Sequence, residues 1–114
     1  MNHAVVTKGI LASLVLALSI WAPARLAASP TLRVLTYNIH HGEGTDGRID
    51  LPRLAEVMAT AQPDLVALQE VDEATDRVSG VNELDELAKL THMHPAFGKA
   101  MNFSGGQYGV AVLS

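Results

Sequence analysis

Nine residues, Asp64 to Asp72 (DLVALQEVD), constrain this chain more than any others. Leu65, Val66, Ala67 and Leu68 run without a polar break, are entered from a Pro63-Asp64 turn, and give way at once to Gln69, Glu70 and Asp72. A strand with one wet face would alternate, so the run predicts a strand covered on both faces, as in parallel α/β sheets. Ligands of such sheets gather outside the carboxyl ends of the strands. Glu70 is thereby delivered to the place where a metal or substrate group is expected. On these residues alone a plainer reading also stands, in which Glu70 is the first solvated residue after a core strand.

Upstream, Leu32 to Ile39 (LRVLTYNI) alternates. Leu32, Val34, Thr36 and Asn38 fall on one side and Arg33, Leu35, Tyr37 and Ile39 on the other, which predicts a strand with a polar end at Asn38, His40 and His41. Gly42 to Gly47 (GEGTDG) has three glycines in six residues and must loop. Asp50 offers a side-chain cap to a helix starting near Leu51, with Pro52 in the first turn, where its missing N–H is harmless. Leu51, Leu54, Val57, Met58 and Ala61 are expected on its inner face, and the helix stops before Pro63. Strand, loop, helix and strand make a βαβ unit with parallel strands. Asn38 and Glu70 then emerge at the same edge of the sheet.

Beyond Asp72 the stretch EATDRVSG is polar and predicts irregular structure. Asn82 caps an expected second helix, Glu83 to Leu90, with Leu84, Leu87 and Ala88 inward. A short strand is expected within His92 to Ala100, a glycine-rich turn over Met101 to Gly109, and a last strand from Val110 to Ser114 that runs out without an exit.

The amino terminus carries a different signal. Lys8 precedes Ile10 to Trp21 (ILASLVLALSIW), an apolar run of signal-peptide length and well short of the roughly twenty residues that span a bilayer. Ala22-Pro23-Ala24 is a small-x-small cleavage site. Residues 1–24 are therefore expected to be a signal peptide, with cleavage as late as Ala28 as the alternative. Export to the periplasm or the extracellular space follows, with no stable membrane span after processing. Without Lys8, seven Lys and Arg face twelve Asp and Glu, a net charge of −5, and no basic cluster advertises nucleic acid or anionic lipid as a partner. The chain has no cysteine, so the exported protein must rely on one small core rather than on disulfides.

Asn38 and Glu70 are hard oxygen donors at the ends of adjacent strands, a start for a Mg2+ site that retains several waters. His40 and His41 adjoin them. Neighbours on an extended strand point to opposite faces, so the two are not expected to chelate one ion together. One of them is a candidate for contact with a phosphate or for support of a ligand, against the plainer reading of polar residues at a strand end. His92 and His94 are expected at a strand entry, with a metal pair as the alternative, and Glu43, Asp46 and Asp50 as loop solubility plus the helix cap, since their spacing lacks the alternating ligand pattern of a calcium loop. Arg77 is expected as a solvated loop charge, with contact to a phosphate as its alternative.

Three segments, TYNIHHGEGTDGRIDLPRLAEVM, PDLVALQEVD and GGQYGVAVLS, together resemble the endonuclease/exonuclease/phosphatase superfamily of magnesium-dependent phosphoesterases. That superfamily includes DNase I-like nucleases, sphingomyelinases and inositol-polyphosphate phosphatases. The resemblance covers roughly Leu32 to Ser114 and implies an α/β fold, the N-terminal part of a four-layer α/β sandwich of two sheets. It matches Asn38 to the superfamily's active-site Asn and Glu70 to its metal-binding Glu, and it implies Mg2+ as cofactor, with Mn2+ as the alternative. The superfamily's other catalytic groups, an Asp-x-Asn pair, a further Asp and a Ser-Asp-His, have no counterpart within Asn82 to Ser114. Residues 32–114 are accordingly expected to be a partial domain, truncated at its carboxyl end.

The combined reading is the N-terminal part of an exported, Mg2+-dependent phosphoesterase acting on a phosphodiester or phosphomonoester of open class. Its rival is a non-catalytic exported binding module, or a decayed gene product, pairing through a sheet edge left open at Val110 to Ser114.

Overall fold

The structure, a computed structural model, describes residues 29–114. The expected signal peptide lies outside the described residues. In chain order come β1 (Val34–Asn38), a 3-10 turn (His40–Gly42), α1 (Leu51–Thr60), β2 (Leu65–Glu73), a second 3-10 turn (Asp76–Val78), α2 (Glu83–Thr91), β3 (Pro95–Phe103) and β4 (Gly106–Leu113). The strands form a mixed sheet in the order β1-β2-β4-β3. β1 and β2 are parallel, from Val34 opposite Leu65 to Asn38 opposite Gln69, as the βαβ reading requires. β4 runs antiparallel to both of its neighbours.

Asp50 caps α1, its Oδ1 accepting from the Arg53 N–H at 3.0 Å. The buried stripe of this helix is Leu51, Ala55 and Met58, and Val57 is 46% exposed. At 3.6 residues per turn Ala55 and Met58 lie within about 40° of Leu51 around the axis, whereas Val57 lies about 120° away. Val57 therefore faces out despite being apolar, and Ala61 has left the helix as its C-cap. Replacing Asp50 with alanine is expected to cost about 1 kcal/mol, measured as a lowered thermal midpoint.

β2 does not end near Glu70. Gln69 pairs with Val110 and Val71 with Gly109, which leaves Glu70 as the extra residue of a β-bulge with φ 58°. The bulge shifts the alternation by one, so that Val66, Leu68 and Val71 all enter the core. In a regular strand Glu70 would follow Leu68 inward. β3 carries a matching irregularity at Ala100, between Lys99 opposite Gly109 and Met101 opposite Tyr108. Gly109 sits between the two, where a Cβ would come within 2.2 Å of the Gly98 carbonyl oxygen.

The expected glycine-rich turn over Met101 to Gly109 is mostly strand. Phe103 pairs with Gly106, and only Ser104 and Gly105, with φ of 42° and 79°, reverse the chain. Left-handed backbone at both loop positions matches the twist of a two-residue hairpin. The hairpin also corrects the edge expected at Val110 to Ser114. β4 lies inside the sheet between β2 and β3, and Ser114 exchanges backbone hydrogen bonds with His94 at 2.7 and 3.0 Å. The edges of the described sheet are β1 and β3.

Asn82 caps α2 by accepting from the Asp85 N–H at 3.1 Å, and Leu84, Leu87 and Ala88 are buried. Both helices join Ile39, Val66, Leu68, Val71, Ala111 and Leu113 in one hydrophobic cluster on a single face of the sheet. Among the described residues nothing covers the other face, where Val34, Val110 and Val112 are 58%, 51% and 36% exposed.

Candidate functional site

The site forms where β1 ends beside the bulge of β2. Parallel pairing brings Asn38 against Gln69, and the bulge then swings Glu70 out beside it. The Asn38 Nδ2 donates to Glu70 Oε1 at 2.8 Å, while its Oδ1 accepts from the His40 N–H at 3.0 Å. Asn38 thus ties the carboxylate to the turn that follows β1. Among the described residues Glu70 Oε2 makes no hydrogen bond and stays available to a ligand.

His40 and His41 depart from the extended geometry expected of them. Their φ angles are 48° and 44°, and Gly42 continues at 76°. A left-handed turn brings the two rings together, with centroids 4.4 Å apart, instead of sending them to opposite faces. One ligand atom each from His40, His41 and Glu70 lie within 4.8 Å of one another. Left-handed backbone costs about 1–2 kcal/mol at most side-chain-bearing residues, although histidine tolerates it better than most. Backbone hydrogen bonds hold the turn: Gly42 N–H to Ile39 O, Glu43 N–H to His40 O and Asp50 N–H to Gly42 O, at 2.9 to 3.2 Å. His41 is buried, with Nε2 3.0 Å from Glu43 Oε2 and Nδ1 enclosed without a partner.

The stretch after Asp72 is ordered by charge. Asp72 and Thr75 are fully buried. The Arg77 guanidinium forks onto the Asp72 carboxylate at 2.7 and 2.8 Å, and the Thr75 hydroxyl donates to the same group. Burial by itself would raise the Asp72 carboxyl, yet the bonds from Arg77 and Thr75 outweigh it and hold its pKa below the ordinary value. Arg77 also lies 4.7 Å over the Phe103 ring and 5.8 Å from that of Tyr108. It is therefore not a solvated loop charge: its Nε and Nη2 are committed to Asp72, while the side chain stays one-third exposed and lines the cleft described below.

Glu83 escaped the sequence reading. Its Oε2 accepts from the Asp72 N–H at 2.8 Å, its Oε1 is buried without a partner, and burial pushes its pKa up to about 7. An acidic residue opening a helix is ordinarily a surface residue favoured by the helix dipole, so its position carried no signal of burial.

His40, His41, Glu70, Arg77, Met101, Phe103 and Tyr108 line a cleft of about 230 Å³. The last three belong to the β3–β4 hairpin and were hidden in the expected turn. Elsewhere, Glu43 pairs with His41, Asp46 with Arg53 at 2.9 Å, and Asp50 caps α1, so these acids serve separate contacts. His92 forms the left-handed C-cap of α2, and neither it nor His94 joins the cluster.

These features define an α/β protein with a polar cleft where β1 ends beside the β2 bulge. Residues 35–114 match the model of the Endonuclease/Exonuclease/phosphatase family, and the chain belongs to that family, as its motifs imply. Among solved structures it resembles an endonuclease/exonuclease/phosphatase from Beutenbergia cavernae DSM 12333, at 32% identity and a TM-score of 0.62 over 73% of this chain and 25% of that one. An endonuclease/exonuclease/phosphatase family protein from Leptotrichia buccalis C-1013-b shares the fold at 22% identity and a TM-score of 0.57, over 74% of this chain and 38% of that one. The chain thus spans well under half the length of either structure. No curated protein gave a significant match.

Proposed function

We propose that this chain forms the metal-holding part of a phosphoesterase that cleaves a phosphodiester or phosphomonoester. The observation that carries this reading is the 2.8 Å bond from Asn38, at the end of β1, to Glu70, in the bulge of the parallel neighbour β2, within a family that generally uses divalent cations. The donor set fits such a cation. Glu70 keeps one carboxylate oxygen free, which suits the sparse protein ligation of Mg2+ or of Mn2+. When bound, the cation polarises a phosphoryl oxygen and stabilises the leaving oxyanion.

The chain's own residues prepare that chemistry. Asn38 orients Glu70 and anchors the histidine turn, while Met101, Phe103 and Tyr108 line the cleft on the hairpin side. The bare apolar face with Val34, Val110 and Val112 supports completion of the fold as a four-layer sandwich, a second sheet packing there. Export by residues 1–24 belongs to the same reading. Among the described residues no helix is long and apolar enough to cross a membrane.

Titration of the chain with Mg2+ by calorimetry tests the assignment. Glu70→Gln keeps the hydrogen bond from Asn38 but removes the charge, and is expected to abolish binding. Unchanged Mg2+ affinity in that variant would sink the role given to Glu70.

A further inference from the structure

We propose that His40, His41 and Glu70 form a three-ligand site for a nitrogen-preferring transition-metal dication of the Zn2+ class, leaving one coordination position open. The inference rests on the reading of Glu70 as a metal ligand and adds two imidazoles to it. One ligand atom from each of the three side chains already lies within 4.8 Å of the others. Zn–N distances of about 2.0–2.1 Å put tetrahedral ligands about 3.3 Å apart, so the cluster needs to close by no more than about 1.5 Å. His40 is exposed and Glu70 half-buried, so side-chain rotation can supply that movement.

The surroundings of His41 give an independent reason. Its Nε2 faces the Glu43 carboxylate at 3.0 Å, and a carboxylate only accepts, so in the neutral ring the proton sits on Nε2. The lone pair is then on Nδ1, which is buried and without a hydrogen-bond partner. A carboxylate holding one ring nitrogen while the other meets a metal is the usual support of a metal-ligating histidine. His40, His41 and Glu70 are also among the eight described non-glycine residues with positive φ. Imidazole pairs favour Zn2+ and its neighbours, while Mg2+ takes oxygen ligands. The open fourth position is where a water or a phosphoryl oxygen would bind.

Co2+ serves as the probe, because its visible absorption reports ligation directly and requires no catalytic turnover. The untagged 114-residue chain is titrated with Co2+ by absorption and with Mg2+ by calorimetry, for the parent protein, His40→Asn, His41→Asn and Glu70→Gln. Asparagine is chosen because it accepts left-handed backbone. Each histidine variant is expected to weaken Co2+ by at least about tenfold while leaving Mg2+ affinity within about twofold. Co2+ affinity unchanged in both histidine variants overturns the proposal. Should Co2+ bind through the histidines while Mg2+ binds nowhere, the proposal stands and the Mg2+ phosphoesterase reading falls; the reverse pattern spares that reading alone. Histidine-ring nitrogen NMR of the parent with Zn2+ needs no variant. Shifts confined to His40 and His41 support the site, and shifts at His3, His92 or His94 instead, or none at all, overturn it.

Discussion

Arg77→Met is expected to destabilise the protein by about 3–5 kcal/mol, the usual consequence of leaving one member of a buried ion pair without its partner. Asp72 has no exposure, and Arg77 supplies two of its hydrogen bonds at 2.7 and 2.8 Å. Methionine keeps much of the packing against Phe103 and Tyr108 but brings no charge, so the buried carboxylate is left with Thr75 and must ionise poorly or unfold. A small domain holds about 5–15 kcal/mol in total, which makes this a large share. Asp72→Asn should cost less, since an amide needs no countercharge. The double variant should recover part of the Arg77→Met loss, and the difference gives the coupling between the two side chains. Urea unfolding midpoints measure all three. A loss under about 1 kcal/mol for Arg77→Met would mean that the pair behaves as an exposed one.

Glu83→Gln should act in the opposite direction and only at higher pH. The Glu83 pKa rises on folding from 4.5 to about 7, chiefly by burial. Between those values the folded state keeps a proton that the unfolded chain has released, so stability falls as pH rises from 4.5 toward 7. Above 7 the penalty is complete, at about 3 kcal/mol. Glutamine carries no charge and still offers a carbonyl oxygen to the Asp72 N–H. The variant should therefore exceed its parent by about 2–3 kcal/mol at pH 8 and match it near pH 4, once Glu83 is protonated in both states. Asp72 titrates in both proteins at lower pH and cancels in the comparison. Identical pH profiles for the two proteins would show that Glu83 is solvated and titrates normally.

Both predictions concern residues whose importance the sequence conceals. Asp72, Arg77 and Glu83 look like soluble loop and helix-start charges. Their pairing depends on the second 3-10 turn folding back so that Arg77 reaches Asp72, and on the start of α2 bringing Glu83 to the Asp72 N–H. The histidine turn was hidden for a related reason. His40 and His41 follow a regular strand, and extended geometry is the natural continuation until backbone hydrogen bonds from Gly42, Glu43 and Asp50 force the left-handed turn.

What local pattern controls was legible. The unbroken run from Leu65, the alternation from Leu32, the cap at Asp50 and the cap at Asn82 each act over a few residues, and each produced its element. Parallel pairing of β1 and β2 followed from the length of the crossover, and with it the meeting of Asn38 and Glu70. The tertiary structure decided the rest. Bulges at Glu70 and Ala100 exist only in relation to β4, and strand order followed from the hairpin closing through Ser104 and Gly105. The sequence by itself determined which two strands bring Asn38 and Glu70 together, because hydrophobic period and capping are short-range. Which side chains turn into that site was left to the fold, because the bulges exist only against the distant β4, and the left-handed turn and the Asp72–Arg77 pair rest on particular hydrogen bonds that leave no periodic pattern in the sequence.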